Sequence, residues 1–242
     1  ELAGHDGDDL TRYPWGSHNT PHTAQFQLAA SRINIEKRIP GYQVINYAYP
    51  MTTYNSKVQE AGAHFYTSLR AGHPPQAMSP SASEVPWLAL HSRVISFPQE
   101  RSEANDALVL DEIKSWIDTE VIQAGKWHLF TAHDVLPLDS ILAGDPGYFS
   151  ISKRWMNDFA TYLTQKKLEK KLWVTTQQNI VKYIKERDAL TWGIISENEN
   201  EIVLNLKDTL VDSVYNHPLT VELFLPKTWK GVRITQGEKT VK

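Results

Sequence analysis

The chain has 242 residues, 41% of them hydrophobic and 22% charged, with 25 Lys and Arg against 28 Asp and Glu for a formal charge of -3. This composition excludes a disordered or fibrous protein, and the lack of a basic stripe argues against nucleic acid as a partner. There is no cysteine, which excludes disulfide scaffolds, thiolate metal sites and cysteine nucleophiles. No apolar run reaches the roughly 18 residues that a membrane span needs.

Glu1 to His5 reads as the end of a strand that delivers His5 into the acidic turn Asp6-Gly7-Asp8-Asp9. Residues 10–21 read as irregular loop. A helix is predicted over Thr23 to Arg38, stopped by Pro40-Gly41, and Val44 to Tyr49 reads as a buried strand closed by Pro50. A short helix around Ser56 to Ala61 and a strand over Ala63 to Leu69 follow. The stretch 71–86, with Pro74, Pro75, Pro80 and Pro86, reads as a long surface loop of the functional or mobile kind.

Strands are then predicted over Leu88 to Ile95, Trp127 to Ala132 and Leu172 to Thr175, and helices over Asn105 to Ala124, Ser152 to Glu169 and Gln177 to Arg187. This alternation predicts a parallel α/β arrangement, a sheet or barrel with outer helices. From Thr191 the helical period disappears. The runs Ile202 to Leu206, Leu219 to Leu225 and Gly231 to Thr235 predict a small antiparallel β appendage over 191–242, leaving 1–190 as the main domain.

Phe130-Thr131-Ala132-His133-Asp134 places a His-Asp pair where an apolar strand ends, a position that fixes the backbone and opens the side chain to solvent. A histidine there can act as a general acid or base near neutral pH, although a simple surface histidine has the same signature. His5 and Asp9 stand one helical turn apart, as do His18 and His22, and either pair, or both converging, could supply nitrogen and oxygen ligands to a divalent metal. No glycine-rich phosphate loop and no Gly-x-Ser-x-Gly elbow is present.

Several of these segments, taken in order over roughly residues 1–190, resemble the polysaccharide deacetylases of the carbohydrate esterase family 4 type. Glu1 to His5 is similar to the segment whose histidine opens a metal motif, Tyr47-Ala48-Tyr49-Pro50-Met51-Thr52-Thr53-Tyr54-Asn55 to the third family motif, and Leu129 to Asp134 to the fifth. Leu172 to Thr176 with Ile180 to Arg187 resembles the close of the domain. The resemblance implies a distorted, incomplete (β/α) barrel, a divalent metal with zinc as the expected ion, and hydrolysis of acetyl groups from an acetylated polysaccharide. It implies His5 and Asp9 as metal ligands and His133 as the catalytic acid. It also implies substrate contacts at Tyr49 and Pro50, with Trp87 as a further one, and a secreted or periplasmic location.

The sequence departs from the family in four places. Asp9 falls where the second metal histidine belongs, Ala48 where many members carry an arginine, and Thr52 where the motif has glycine. The Thr-Phe-Asp-Asp motif that supplies the base and third ligand lies upstream of the segment matching Glu1 to His5 in the family. Either the chain is the C-terminal part of a longer protein, the reading preferred here, or it is a degenerate member that binds glycan without turnover through its tryptophans. Metal-dependent glycoside hydrolysis is a third reading, for which no carboxylate pair is evident. The oligomeric state stays open.

Overall fold

The computed structural model describes residues 9–72, 74–95, 101–144, 147, 149–225 and 227–241. In chain order the elements are α1 (Ala24–Arg38), β1 (Asn46–Ala48), α2 (Ser56–Ala63), β2 (Ser68–Arg70), β3 (Ser92–Val94), α3 (Glu103–Trp116), β4 (Leu129–Thr131), β5 (Val135–Leu136), α4 (Leu138–Leu142), β6 (Ile151–Ser152), α5 (Lys153–Leu168), α6 (Gln177–Ala189), β7 (Thr191–Glu197), β8 (Ile202–Lys207), β9 (Ile234–Gln236) and β10 (Lys239–Val241). α3 runs on into a π-helical segment, Ile117–Gln123.

The helices start where short polar side chains cap them. Thr23 accepts from the Phe26 amide, Asn55 from Val58, Ser102 from Asn105, Ser152 from Trp155 and Thr176 from Asn179, each satisfying an amide that has no intrahelical partner. The parallel strands are only two or three residues long, and all three residues of β1 are buried, as expected of a parallel strand covered on both faces.

β1 pairs with β2, β3 with β4 and β5 with β6, all parallel, while β7 with β8 and β9 with β10 are antiparallel. The expected incomplete (β/α) barrel is not what forms. The described strands make five separate two-stranded ladders, and only a single parallel bridge, Arg70 to Leu90, links the first ladder toward the second. Strands of two or three residues offer too few ladder bonds to continue one sheet, so packing against helices carries the arrangement. The fold is mixed α/β with small sheets.

Three apolar clusters result. Leu28, Tyr47, Tyr49, Val58 and Leu69 pack α1 and α2 on the first ladder. Ile95, Ile113, Ile117, Trp155 and Phe159 join α3 and its π segment to α5. Met78, Val85, Leu90, Trp127, Val181 and Ile184 clamp the 71–86 stretch between α6 and the strands. That stretch is therefore anchored rather than free: Met78 and Trp127 exchange backbone hydrogen bonds, and the Trp127 indole donates to the Ser79 carbonyl at 2.8 Å.

Two apolar runs predicted as strands stay without a ladder. Leu172–Thr175 takes no strand pairing among the described residues, with Trp173 and Val174 exposed, and Leu219–Leu225 is irregular, with Phe224 fully exposed. No helix among the described residues is long and apolar enough to cross a membrane.

Candidate site at the strand ends

Parallel strands bring their carboxyl ends to one edge, which in open α/β structures is where ligands bind. Here the residues delivered there are Tyr49 to Thr53 after β1, Ala71 and Gly72 after β2, and Ala132 to Asp134 after β4. Arg70, the last residue of β2, ties this edge together. Its Nη1 donates to Ser92 Oγ at 3.3 Å and to Thr131 Oγ1 at 3.0 Å, and Ser92 Oγ in turn donates to the Ala71 carbonyl at 2.6 Å. The guanidinium thus reaches from β2 to both β3 and β4. Its Nε and Nη2 donors, and its charge, find no partner among the described residues. Burial lowers its pKa from the ordinary arginine value.

The turn after β1 is strained. Met51 and Thr52 sit at φ 52° and 58°, a left-handed region that costs non-glycine residues about 1–2 kcal/mol each, more for a β-branched one. Thr52 is the position where the family resemblance calls for glycine, and its backbone adopts the conformation that glycine favours. Gly72 lies against it: a Cβ added to Gly72 would stand 2.9 Å from Thr52 Cβ and closer still to its methyl. Strain held in place by its surroundings gathers at functional edges.

His133 and Asp134 are exposed. The His133 ring lies 5.6 Å from that of Phe149, which is itself at φ 46°. The Ile151 amide donates to the Asp134 carbonyl at 2.8 Å, and a Cβ on Gly147 would fall 2.7 Å from Asp134 Oδ2, so the returning chain passes close to the His-Asp pair.

The other sequence-predicted residues are placed differently. His5 lies outside the described residues. Asp9 caps the short 3-10 turn Leu10–Arg12: its Oδ1 accepts from the Thr11 amide at 2.9 Å and hydroxyl at 2.7 Å, and its Oδ2 faces Arg12 Nε at 3.3 Å. The Thr11 hydroxyl bond, first among several contacts, holds the Asp9 carboxyl below the usual carboxylate range. Both Asp9 oxygens are thus engaged within their own turn. Among the described residues no group of three or more His, Asp or Glu is disposed around a common point for a metal. His18 and His22 part company. His22 lines a depression of about 430 Å³ with Asp9, Arg12, Tyr13 and Pro14, whereas His18 lines another of about 420 Å³ with Trp15, Glu60 and His64.

Tyr49 and Pro50 are buried. The Tyr49 hydroxyl donates to the Leu88 carbonyl at 2.9 Å and its ring stacks on Tyr54 at 4.8 Å, so it supports the edge from within rather than offering a sugar platform. Trp87 donates from its indole to the Ala82 carbonyl at 2.9 Å and carries Lys185 Nζ 4.2 Å from its ring centre. Of the predicted residues, the Tyr49-Pro50 turn and His133 follow strands at this edge, while the contacts of Asp9 and Trp87 are those of their own turns and of Lys185.

Sequence reasoning missed Arg70. The one signal for it is a lone cation ending the strand-like run Tyr66 to Leu69 just before Ala71-Gly72. In register it pairs with Ala48, the position where the family resemblance calls for an arginine, so a guanidinium stands at this end of the strands one strand over.

No known family profile matches the chain. A stretch of 70 residues, 29% of the chain, is 27% identical to gellan lyase of a Bacillus species and covers 3% of that protein. The chain thus spans a small part of the length of this curated relative.

Proposed function

We propose that this protein acts on a polysaccharide at the carboxyl edge of its parallel strands, in the manner of a polysaccharide deacetylase that hydrolyses acetyl groups. The observation that carries the proposal is the exposed His133-Asp134 pair two residues beyond Thr131, the residue that Arg70 holds. Two residues span at most about 7 Å, so His133 sits beside the edge that the guanidinium organises. The order of motifs along the chain and the partial likeness to a gellan lyase, an enzyme named for a polysaccharide, support a glycan as the ligand. A location outside the cytoplasm belongs to the same reading.

In this reading a water adds to the acetyl carbon and gives up its proton to solvent, and a protonated His133 donates from its imidazolium to the departing sugar nitrogen or oxygen as the acetyl carbon–heteroatom bond breaks, leaving acetate and the free sugar amine or hydroxyl; such acid catalysis contributes typically 10²–10⁴-fold. Arg70 and Thr131 keep the end of β4 in place so that the ring meets the leaving group. A divalent ion, where bound, would polarise the acetyl carbonyl and lower the pKa of a water. In this reading Asp9, whose oxygens are engaged with Thr11 and Arg12, would supply a ligand together with His5.

That same commitment of Asp9 favours a second reading, in which the edge binds acetylated glycan without turnover. Acetate release from acetylated oligosaccharides, measured with and without added zinc for the native chain and His133→Ala, separates the two. Release that drops at least 10²-fold in His133→Ala supports the hydrolase. Binding without release in the native chain leaves the glycan-binding reading, and neither binding nor release overturns both.

A further inference from the structure

We infer that Arg70 is an anion subsite, and that the glycan taken at this edge carries a carboxylate of the uronic-acid kind. The inference rests on the glycan reading above and deepens it by naming the substrate class.

A guanidinium offers five N–H donors in a planar fork. Arg70 spends two hydrogen bonds from Nη1 on the neutral hydroxyls of Ser92 and Thr131, and these fix the plane of the group without supplying counter-charge. Ser92 turns its own hydrogen to the Ala71 carbonyl, so its oxygen is committed to accepting from Arg70. Nε and Nη2, the side of the fork that matches the two oxygens of a carboxylate, have no partner among the described residues. Arg70 is half-buried and neither atom is among the polar atoms sealed from solvent without a partner, so an arriving anion can reach the fork, and a partly desolvated cation gains from an opposite charge delivered to it.

Arg101 shows what a structural guanidinium looks like in this protein. Arg101 grips Asp106 with Nε at 3.0 Å and Nη2 at 3.1 Å, and donates from Nη1 to the Ser150 carbonyl at 2.7 Å. In Arg101 the fork is filled by a carboxylate of the chain itself. In Arg70 the same atoms are left over, at the edge where a ligand arrives, beside a turn kept in a strained conformation by Thr52 against Gly72. Bidentate capture of a planar carboxylate is what an arginine does better than a lysine.

The test compares two ligands that differ only in the charge: hexagalacturonate and its fully methyl-esterified form, titrated calorimetrically into the native chain, Arg70→Gln and Arg70→Lys at fixed low salt. The expected result is at least tenfold tighter binding of the acid than of the ester by the native chain. In Arg70→Gln the ratio of acid to ester affinity falls to about one whatever happens to the affinity common to both, and Arg70→Lys keeps part of the preference. Equal affinity of the native chain for acid and ester overturns the anion subsite and leaves the glycan reading standing. A preference that survives in Arg70→Gln, with far-UV circular dichroism unchanged, places the anion elsewhere and also overturns the inference. Binding of neither ligand overturns the inference and counts against glycan recognition itself. Should Arg70→Gln fail to fold, Arg70→Lys carries the assignment: a preference undiminished in Arg70→Lys overturns it, and a reduced one supports it.

Discussion

Arg70 Nη1 donates to Thr131 Oγ1 at 3.0 Å across 61 residues of chain. β2 and β4 are not ladder neighbours, so this bond passes over β3 and makes one edge out of strands that belong to two separate ladders. In Thr131→Val the guanidinium loses one of its two acceptors in a partly buried place. Loss of a charge-assisted hydrogen bond of this kind costs about 1.5–3 kcal/mol, which urea unfolding should read as a lower midpoint at unchanged slope.

The Thr52–Gly72 contact makes a second, coupled prediction. Thr52→Gly removes a β-branched residue from φ 58° and should stabilise the chain by about 1 kcal/mol. Gly72→Ala alone should destabilise it, because the new Cβ meets the Thr52 side chain. In the double variant that clash is gone, so the two effects should depart from additivity by about 1–2 kcal/mol. Additive effects in a double-mutant cycle would show that the two residues do not press on each other.

The Arg101–Asp106 pair holds the start of α3 to β6. Both side chains are largely buried, and Ser152 Oγ, which also caps α5, donates to Asp106 Oδ2 at 2.9 Å. Asp106→Ala strands a buried guanidinium and should cost about 3–5 kcal/mol. Removing both charges, as Arg101→Met with Asp106→Leu, should cost less than Asp106→Ala alone, and thermal unfolding of the three variants checks the order.

His128 provides the pH dependence. Its ring lies between those of Trp116 at 4.7 Å and Phe130 at 5.2 Å, with Nδ1 3.0 Å from the Gln76 carbonyl. Burial pushes its pKa down to about 4; nearby Arg93 and His91 act in the same direction, and the Gln76 contact opposes them. The unfolded chain takes up a proton near pH 6.5 and the folded one only near pH 4, so stability falls as the pH drops through that window. The contribution lost is roughly 1–3 kcal/mol. The urea midpoint of the native chain should therefore fall more steeply than that of His128→Phe on acidification from pH 7 to pH 4.5, and parallel pH profiles would assign the acid sensitivity to other groups.

Local features were the legible part of this sequence. Thr23, Ser152 and Thr176 stand where polar caps meet apolar stripes, and the helices predicted there start within a residue of them, because a cap is a matter of three neighbouring residues. The predicted strand over Leu88 to Ile95 shrinks to Ser92–Val94, and Leu172–Thr175 and Leu219–Leu225 pair with nothing, since a strand exists only where a distant partner meets it. The barrel was misjudged for the same reason: an alternating pattern says that strands are parallel, not that ladders of two or three residues join into one sheet. At the candidate site, His133 was visible as a histidine after an apolar strand. Arg70 was not, because its position depends on Ser92 and Thr131 arriving from 22 and 61 residues away.

The central claim is that glycan binds at the carboxyl edge of the strands. Its most direct measurement is an amide and arginine side-chain NMR titration of the isotope-labelled chain with an acetylated acidic oligosaccharide. The account predicts that the largest shifts fall on Arg70 Nε–H, Ser92 and the run Thr131 to Asp134. Shifts centred instead on the Trp15, His18 and His64 depression, with Arg70 and His133 unmoved, would contradict it.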